Sequence, residues 1–189
     1  MTLAVLALGA NLPFEGRPAE ANLRRVMKEL GSFEGTRVLA NSRLWRSMPV
    51  LAEGPLFWNA CCLLDTSLEP LELLEQLLLL ERCWGRLREQ RPERVLAAAR
   101  TLDLDLIWIE GQISNSPVLC LPHPRAASRA FVLGPLMDLE PWLGQRFTLP
   151  KPLTGEPCAS HELWQQLPEA VRLECQPVAE PIDPVEIAA

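Results

Sequence analysis

Apolar and polar positions alternate most sharply in "RTLDLDLIWIE", residues 100–110. Leu102, Leu104, Leu106 and Trp108 interleave there with Asp103, Asp105, Ile107 and Ile109. Side chains two apart on a strand share a face, so the pattern predicts a strand that sets Asp103 and Asp105 side by side. An apolar run at residues 2–8 predicts a buried strand that ends at Gly9. From Pro18 to about Leu30 the spacing of Leu23, Val26, Met27 and Leu30 predicts a helix closed by Gly31. "TRVLANSRLWRSMP" and "LFWNACCLLDTS" read as two strands, and the short "VLAEG" between them makes them antiparallel neighbours. Ser67 is placed to cap the next helix, with Glu69 and Pro70 in its first turn and Leu71, Leu74, Leu77 and Leu78 on its buried face. A further helix is predicted over about Ala127–Leu139, ended by Pro141.

The resulting order is β-α-β-β-α-β plus a helix. It predicts an α+β, ferredoxin-like antiparallel sheet with helices packed on one face, the other face left to a ligand, and a C-terminal extension. From residue 150 onward the chain holds seven prolines, with a short helix expected around Ser160–Leu167. Residues 1–168 are read as the functional domain and 169–189 as a proline-containing tail, disordered beyond Gln176.

Composition narrows the classes. With 48% hydrophobic residues in 189, the chain can bury a sizeable core. The greasy "LLEQLLLLERCWG" is interrupted by Glu75, Glu81 and Arg82, so no bilayer span is expected. The N-terminus has no cationic lead-in, which predicts a cytoplasmic protein. Six cysteines show no C-x-x-C pair and are read as free, mostly buried thiols. A net charge of -6 and the absence of tyrosine argue against a nucleic-acid-binding ferredoxin-like module.

The charge is uneven. Arg82, Arg86, Arg88, Arg91, Arg94 and Arg100 crowd one segment, opposed there only by Glu89 and Glu93. A helix-end dipole accounts for Arg82 and Arg86 but not for a run that continues to the paired carboxylates. Arginine's planar fork suits phosphate oxygens. The two aspartates lie roughly 6.5–7 Å apart along a strand, within reach of a two-metal site. Mg²⁺ takes one or two carboxylates and completes its shell with water and phosphate. Alone, the pair is also what the polar face of a half-solvated sheet looks like; the flanking arginines turn the reading toward a Mg-nucleotide.

Together "LALGANL", "FWNACCLLDTSLEPLELL", "RTLDLDLIWIEG" and "LPHPRAASRAFVLGPLMDLEP" resemble the 6-hydroxymethyl-7,8-dihydropterin pyrophosphokinase family, in the family's order and from the first strand to about Pro168. The resemblance implies transfer of pyrophosphate from ATP to the pterin alcohol in folate biosynthesis, with ATP as co-substrate and two Mg²⁺ ions. It implies that Asp103 and Asp105 hold the metal and, with Arg86 and Arg100, form the catalytic group. It implies that Glu81, Arg88, Leu106, His123 and Arg129 serve ATP. Ser47, Met48, Val50, Phe57, Asn59 and Phe131 are implied as the pterin pocket, the two phenylalanines sandwiching the ring. A flat heterocycle with a row of donors and acceptors needs two apolar faces and one polar edge, which this set supplies. His123, between two prolines in "LPHPR", has a stiff backbone suited to a fixed phosphate contact.

The chain departs from the family pattern in places. "RPERVLAAAR" lacks the Trp-Gly pair usual before the last loop arginine, Gly9-Ala10-Asn11 replaces Gly-Ser-Asn, and Leu78 stands where a glutamine is common. The expectation is an active monomeric enzyme, without nucleic-acid or membrane partners; the alternative is a catalytically weak nucleotide- and pterin-binding paralogue.

Overall fold

The computed structural model describes residues 1–50, 54–86 and 99–178. The chain runs β1 (Thr2–Ala10), α1 (Ala19–Glu29), β2 (Thr36–Asn41), β3 (Trp45–Ser47), β4 (Phe57–Thr66), α2 (Pro70–Cys83) and β5 (Asp103–Ile109). A small hairpin of β6 (Ser114–Asn115) and β7 (Cys120–Leu121) follows, then α3 (Ala130–Leu143) and the pair β8 (Leu149–Pro150) and β9 (Pro157–Cys158). Helices α4 (Ser160–Gln166) and α5 (Glu169–Leu173) lead to β10 (Cys175–Pro177). The main sheet is antiparallel in the order β10-β3-β4-β1-β5, with β2 also on β4.

Both faces of this sheet are covered, which corrects the expectation of helices on one face only. Leu6, Leu8, Cys62, Leu64, Leu104 and Leu106 join α1 and α2 in one core. Val5, Ala7, Cys61, Leu63 and Ile107 join Val132, Leu133, Leu136 and Leu139 of α3 in a second. A strand buried on both sides reads as a continuous apolar run rather than an alternation, and "LAVLAL" and "ACCLL" are such runs.

Several boundaries shift for identifiable reasons. Strand β1 passes through Gly9 to Ala10, because Gly9 still pairs with Asn59 and Asp103. The single strand expected over residues 36–49 is broken in two. At the break, the Ser42 hydroxyl takes the Cys61 N–H at 2.8 Å, standing in for a ladder bond. Helix α2 is capped by Glu69 in a capping box with Glu72, while Ser67 donates to the Gly35 carbonyl instead. Its buried stripe is Leu73, Leu77 and Leu80, and Leu71 is exposed. Helix α3 begins three residues later than expected, after a turn at Ala126–Ser128, and Pro141 lies inside it. In β5 a register shift against β1 between Val5 and Leu6 puts Ile107 and Trp108 on the same side. Trp108 therefore leaves the leucine face and Ile109 joins it.

The six thiols are free; Cys61, Cys62, Cys158 and Cys175 are buried and Cys83 is exposed. Among the described residues no helix is long and apolar enough to cross a membrane.

The chain beyond residue 168 also packs on this body. Cys175 is buried and β10 pairs with β3. The Met48 N–H donates to the Glu174 carbonyl at 3.2 Å, and the Val178 N–H to that of Leu44 at 2.8 Å. The rest of the tail expected to be disordered, 179–189, lies outside the described residues. A chain ending at Glu174 should therefore melt about 4–8 °C below the full chain, for a loss of roughly 2 kcal/mol in strand pairing and thiol burial. Thermal melts followed by circular dichroism would show this, and equal midpoints would mean that β10 contributes nothing to stability.

Candidate active site

The site grows from a single register row. Gly9 of β1 pairs with Asn59 on one side and with Asp103 on the other, and Asn59 in turn pairs with Trp45. Directly paired residues of an antiparallel sheet point to the same face, so Asn59 and Asp103 flank Gly9 on the α3 side. A Cβ at Gly9 would lie 3.5 Å from Asn59 Oδ1 and 3.8 Å from Asp103 Cβ. The missing side chain leaves a floor between an amide edge and a carboxylate.

On the amide side, Asn59 Nδ2 donates to Ser47 Oγ at 3.0 Å, so its Oδ1 faces the space over Gly9. Phe57, two residues earlier on β4, shares that face. Phe131, in the first turn of α3, packs against the cluster that contains Trp45, the sheet neighbour of Asn59. Met48 and Val50 are half exposed at the rim.

On the carboxylate side, Asp103 is gripped by two guanidiniums: Arg86 holds Oδ1 and Arg100 holds Oδ2. Arg86 reaches it from the end of α2 by a helix-ending motif. The Gly85 N–H bonds the Arg82 carbonyl, the Arg86 N–H bonds that of Glu81, and Gly85 takes the left-handed conformation, with φ +78°. Glu81 lies beneath; its Oε1 accepts from Arg86 and from the Leu104 N–H. It is 1% exposed, so its side chain organises the arginine and β5 rather than presenting a surface to ATP. Asp105 is more open and meets Arg129 Nη1 at 3.5 Å. His123 is fixed beside β5 by a 2.8 Å bond from its N–H to the Ile107 carbonyl.

The two aspartates differ in electrostatics. Burial pushes the Asp103 carboxyl up, but Arg86 and Arg100 outweigh it and hold the group below the ordinary carboxylate value. Asp105 is held above that value, by burial first and then by the Asp103 charge, against the pull of His123 and Arg129. Burial also holds the His123 imidazole below its usual value, so near neutral pH it presents a neutral ring. Two guanidiniums straddle both halves of the site. That of Arg100 lies 5.6 Å from the Phe57 ring centroid, and that of Arg129 lies 5.3 Å from that of Phe131.

Most residues singled out from the sequence converge here: Ser47, Phe57, Asn59, Phe131, Arg86, Arg100, Asp103, Asp105, His123 and Arg129. Leu106 does not. Its side chain is buried in the core on the opposite face, so only its backbone is available to a nucleotide. Arg88 lies outside the described residues. Asn11 was missed by the sequence reading. Its Oδ1 accepts from the Arg100 N–H at 2.7 Å, and its Nδ2 donates to the Pro55 carbonyl at 3.1 Å. Its place after Gly9-Ala10, at the open end of β1, was the available signal.

The donor set fits Mg²⁺. Two hard carboxylate oxygens on one strand suit an ion that completes its octahedron with water and phosphate. Among the described residues there is no cluster of three or more His, Cys, Asp or Glu of the kind an all-protein cage needs. A cation here would offset the burial and the Asp103 charge that hold Asp105 above its ordinary value.

Comparisons with known proteins place the chain in a family. The family model for 7,8-dihydro-6-hydroxymethylpterin-pyrophosphokinase (HPPK) matches residues 5–141. The chain is 40% identical over 140 residues to a 2-amino-4-hydroxy-6-hydroxymethyldihydropteridine pyrophosphokinase of Pseudomonas aeruginosa, covering 72% of this chain and 79% of that one. It is 36% identical over 144 residues to the Synechocystis protein of that name, covering 76% and 69%. The folic acid synthesis protein fol1 of Pneumocystis carinii is 36% identical over 157 residues, which are 82% of this chain but 19% of that much longer one. An HPPK-DHPS crystallised with substrates shares the fold, with a TM-score of 0.64, 12% identity, and coverage of 94% of this chain and 48% of that chain. With the family model spanning well over half its length, the chain belongs to the 7,8-dihydro-6-hydroxymethylpterin-pyrophosphokinase family.

Proposed function

We propose that the chain transfers the pyrophosphoryl group of ATP to 6-hydroxymethyl-7,8-dihydropterin, giving the pterin diphosphate and AMP for folate biosynthesis. One observation carries the reading: Asn59 and Asp103 stand on either side of the bare floor at Gly9. A heterocycle hydrogen-bonded to Asn59 and stacked between Phe57 and Phe131 would present its hydroxymethyl arm toward the carboxylates. The strand order β2/β3-β4-β1-β5 supports a ferredoxin-like core, extended by α3 on the second face. The proposal includes a cytoplasmic, monomeric protein that uses two Mg²⁺ ions.

The reaction is an in-line displacement in which the pterin oxygen attacks the β-phosphorus and AMP leaves. Asp103 and Asp105 would hold Mg²⁺, which when bound neutralises phosphate charge and makes the attacking hydroxyl more acidic. Arg86 and Arg100 already converge on Asp103 and so lie beside any phosphate held there, where they stabilise charge building on the transferred group. Arg129 does the same from the side of Asp105. Neutral His123 can donate one hydrogen bond to a phosphate oxygen without adding charge. Phe57 and Phe131 exclude water from the reacting oxygen, which suppresses hydrolysis of ATP.

With MgATP and 6-hydroxymethyl-7,8-dihydropterin, AMP should form in step with pterin diphosphate. Pterin-dependent ADP as the main product would mean single phosphoryl transfer, and no pterin-dependent product would favour the weak paralogue. The two aspartates should separate in stability but not in activity. Asp103→Asn and Asp105→Asn should each lower turnover at least about 10²-fold, because each removes a charged metal ligand. In chelator-treated protein at pH 7, Asp103→Asn should melt lower by about 1–3 kcal/mol of lost stability, since it removes one charged partner from each of Arg86 and Arg100. Asp105→Asn should melt at or above the parent, because it removes the carboxylate that burial and Asp103 disfavour. Equal melting shifts for the two variants would contradict the asymmetry.

A further inference from the structure

Trp45 is 4% exposed and takes no part in the chemistry above. Its ring lies against α3 at Gly134. A Cβ on Gly134 would sit 2.7 Å from both Cε3 and Cζ3 of the indole and 3.1 Å from Cη2. No methyl is accommodated at that range unless something moves, so the helix approaches this closely only because the residue is glycine. The indole itself is held fast. Its Nε1 donates to Asp138 Oδ2 at 3.0 Å, and Trp164 meets it edge-on with ring centroids 5.6 Å apart. Asp138 also takes Arg43 Nη2 at 2.7 Å, tying the β2–β3 turn to α3.

This contact lies next to the pterin slot from both directions. On the sheet, Trp45 pairs with Asn59. On the helix, Phe131 is less than one turn before Gly134 and packs on the same cluster as Trp45. Pro135 has no N–H to give the Phe131 carbonyl, so the first turn of α3 lacks one helix bond and depends on packing for its position.

We propose that Trp45 and Gly134 act as a spacer that fixes how far Phe131 stands from Phe57 and Asn59, and so matches the slot to a planar pterin. They are positioning residues that touch no substrate. The proposal deepens the pyrophosphokinase reading and rests on it. Replacing Gly134 with Ala should force the helix outward and widen the slot. Trp45→Phe shortens the ring and withdraws Nε1 from Asp138, and it also makes room for the methyl.

The test is steady-state kinetics of the full chain as wild type, Gly134→Ala, Trp45→Phe and the double variant, with calorimetric pterin binding beside a non-hydrolysable ATP analogue and Mg²⁺. Gly134→Ala should raise the pterin KM and Kd about tenfold, with the ATP KM changed less than about twofold. Trp45→Phe should act in the same direction more weakly. The double variant should recover most of the Gly134→Ala loss, because the smaller ring admits the methyl. Equal effects on both substrates, or a double variant whose loss is the product of the single losses, would overturn the spacer. If Gly134→Ala does not fold, Trp45→Phe alone decides through the same split between pterin and ATP. A wild-type chain that makes no AMP would instead overturn the reading beneath it.

Discussion

The structure depends on the register of β1 between β4 and β5. That one alignment sends Val5, Ala7, Cys61 and Leu63 into the core under α3, and at the next step sends Asn59 and Asp103 to either side of Gly9. A slip of one residue would turn every one of these side chains to the other face. Core and site are therefore not independent: the burial that fixes the register also fixes the separation of the amide edge from the carboxylate. The ten-residue length of β4 and nine of β1 make this alignment hard to shift.

A second constraint is electrostatic. Glu81 is buried, yet it is satisfied by a backbone N–H and by Arg86. Buried carboxylates persist only when paired in this way. The result is a chain of alternating charge, Glu81–Arg86–Asp103–Arg100, running from the core to the open end of β5. Asp103 is stabilised as the anion by this chain, whereas Asp105, outside its grip, is left in tension with its neighbour. The site thus pairs one carboxylate held as the anion by two arginines with one that burial and its neighbour disfavour.

Much of this was legible in the sequence because it follows short-range rules. Alternation in "DLDL" set both aspartates on one face, and β4 did the same for Phe57 and Asn59. What was not legible depends on partners distant in the chain. The run of leucines in α2 could not say which ones face inward, since almost every phase of the helix offers one; packing chose Leu73, Leu77 and Leu80. The continuous apolar runs of β1 and β4 already implied two covered faces, but the element order alone pointed to one. The bulge that turns Trp108 around arises from the pairing of β5 with β1 and leaves no local mark. Asn11 and Trp45 look unremarkable in sequence because their roles come from Arg100 and Gly134, both far away in the chain.

The edge of the main sheet beyond β3 is closed by β10, whose residues are made more than a hundred positions later. During synthesis, β1 to β5 can pair as soon as they emerge, but β3 keeps an open row of donors and acceptors until Cys175–Pro177 clears the ribosome. An unpaired edge is a template for pairing with another chain. Until then the edge that carries Ser47, the hydrogen-bond partner of Asn59, is open to pairing with a second chain, and β10 acts as the cap that withholds it.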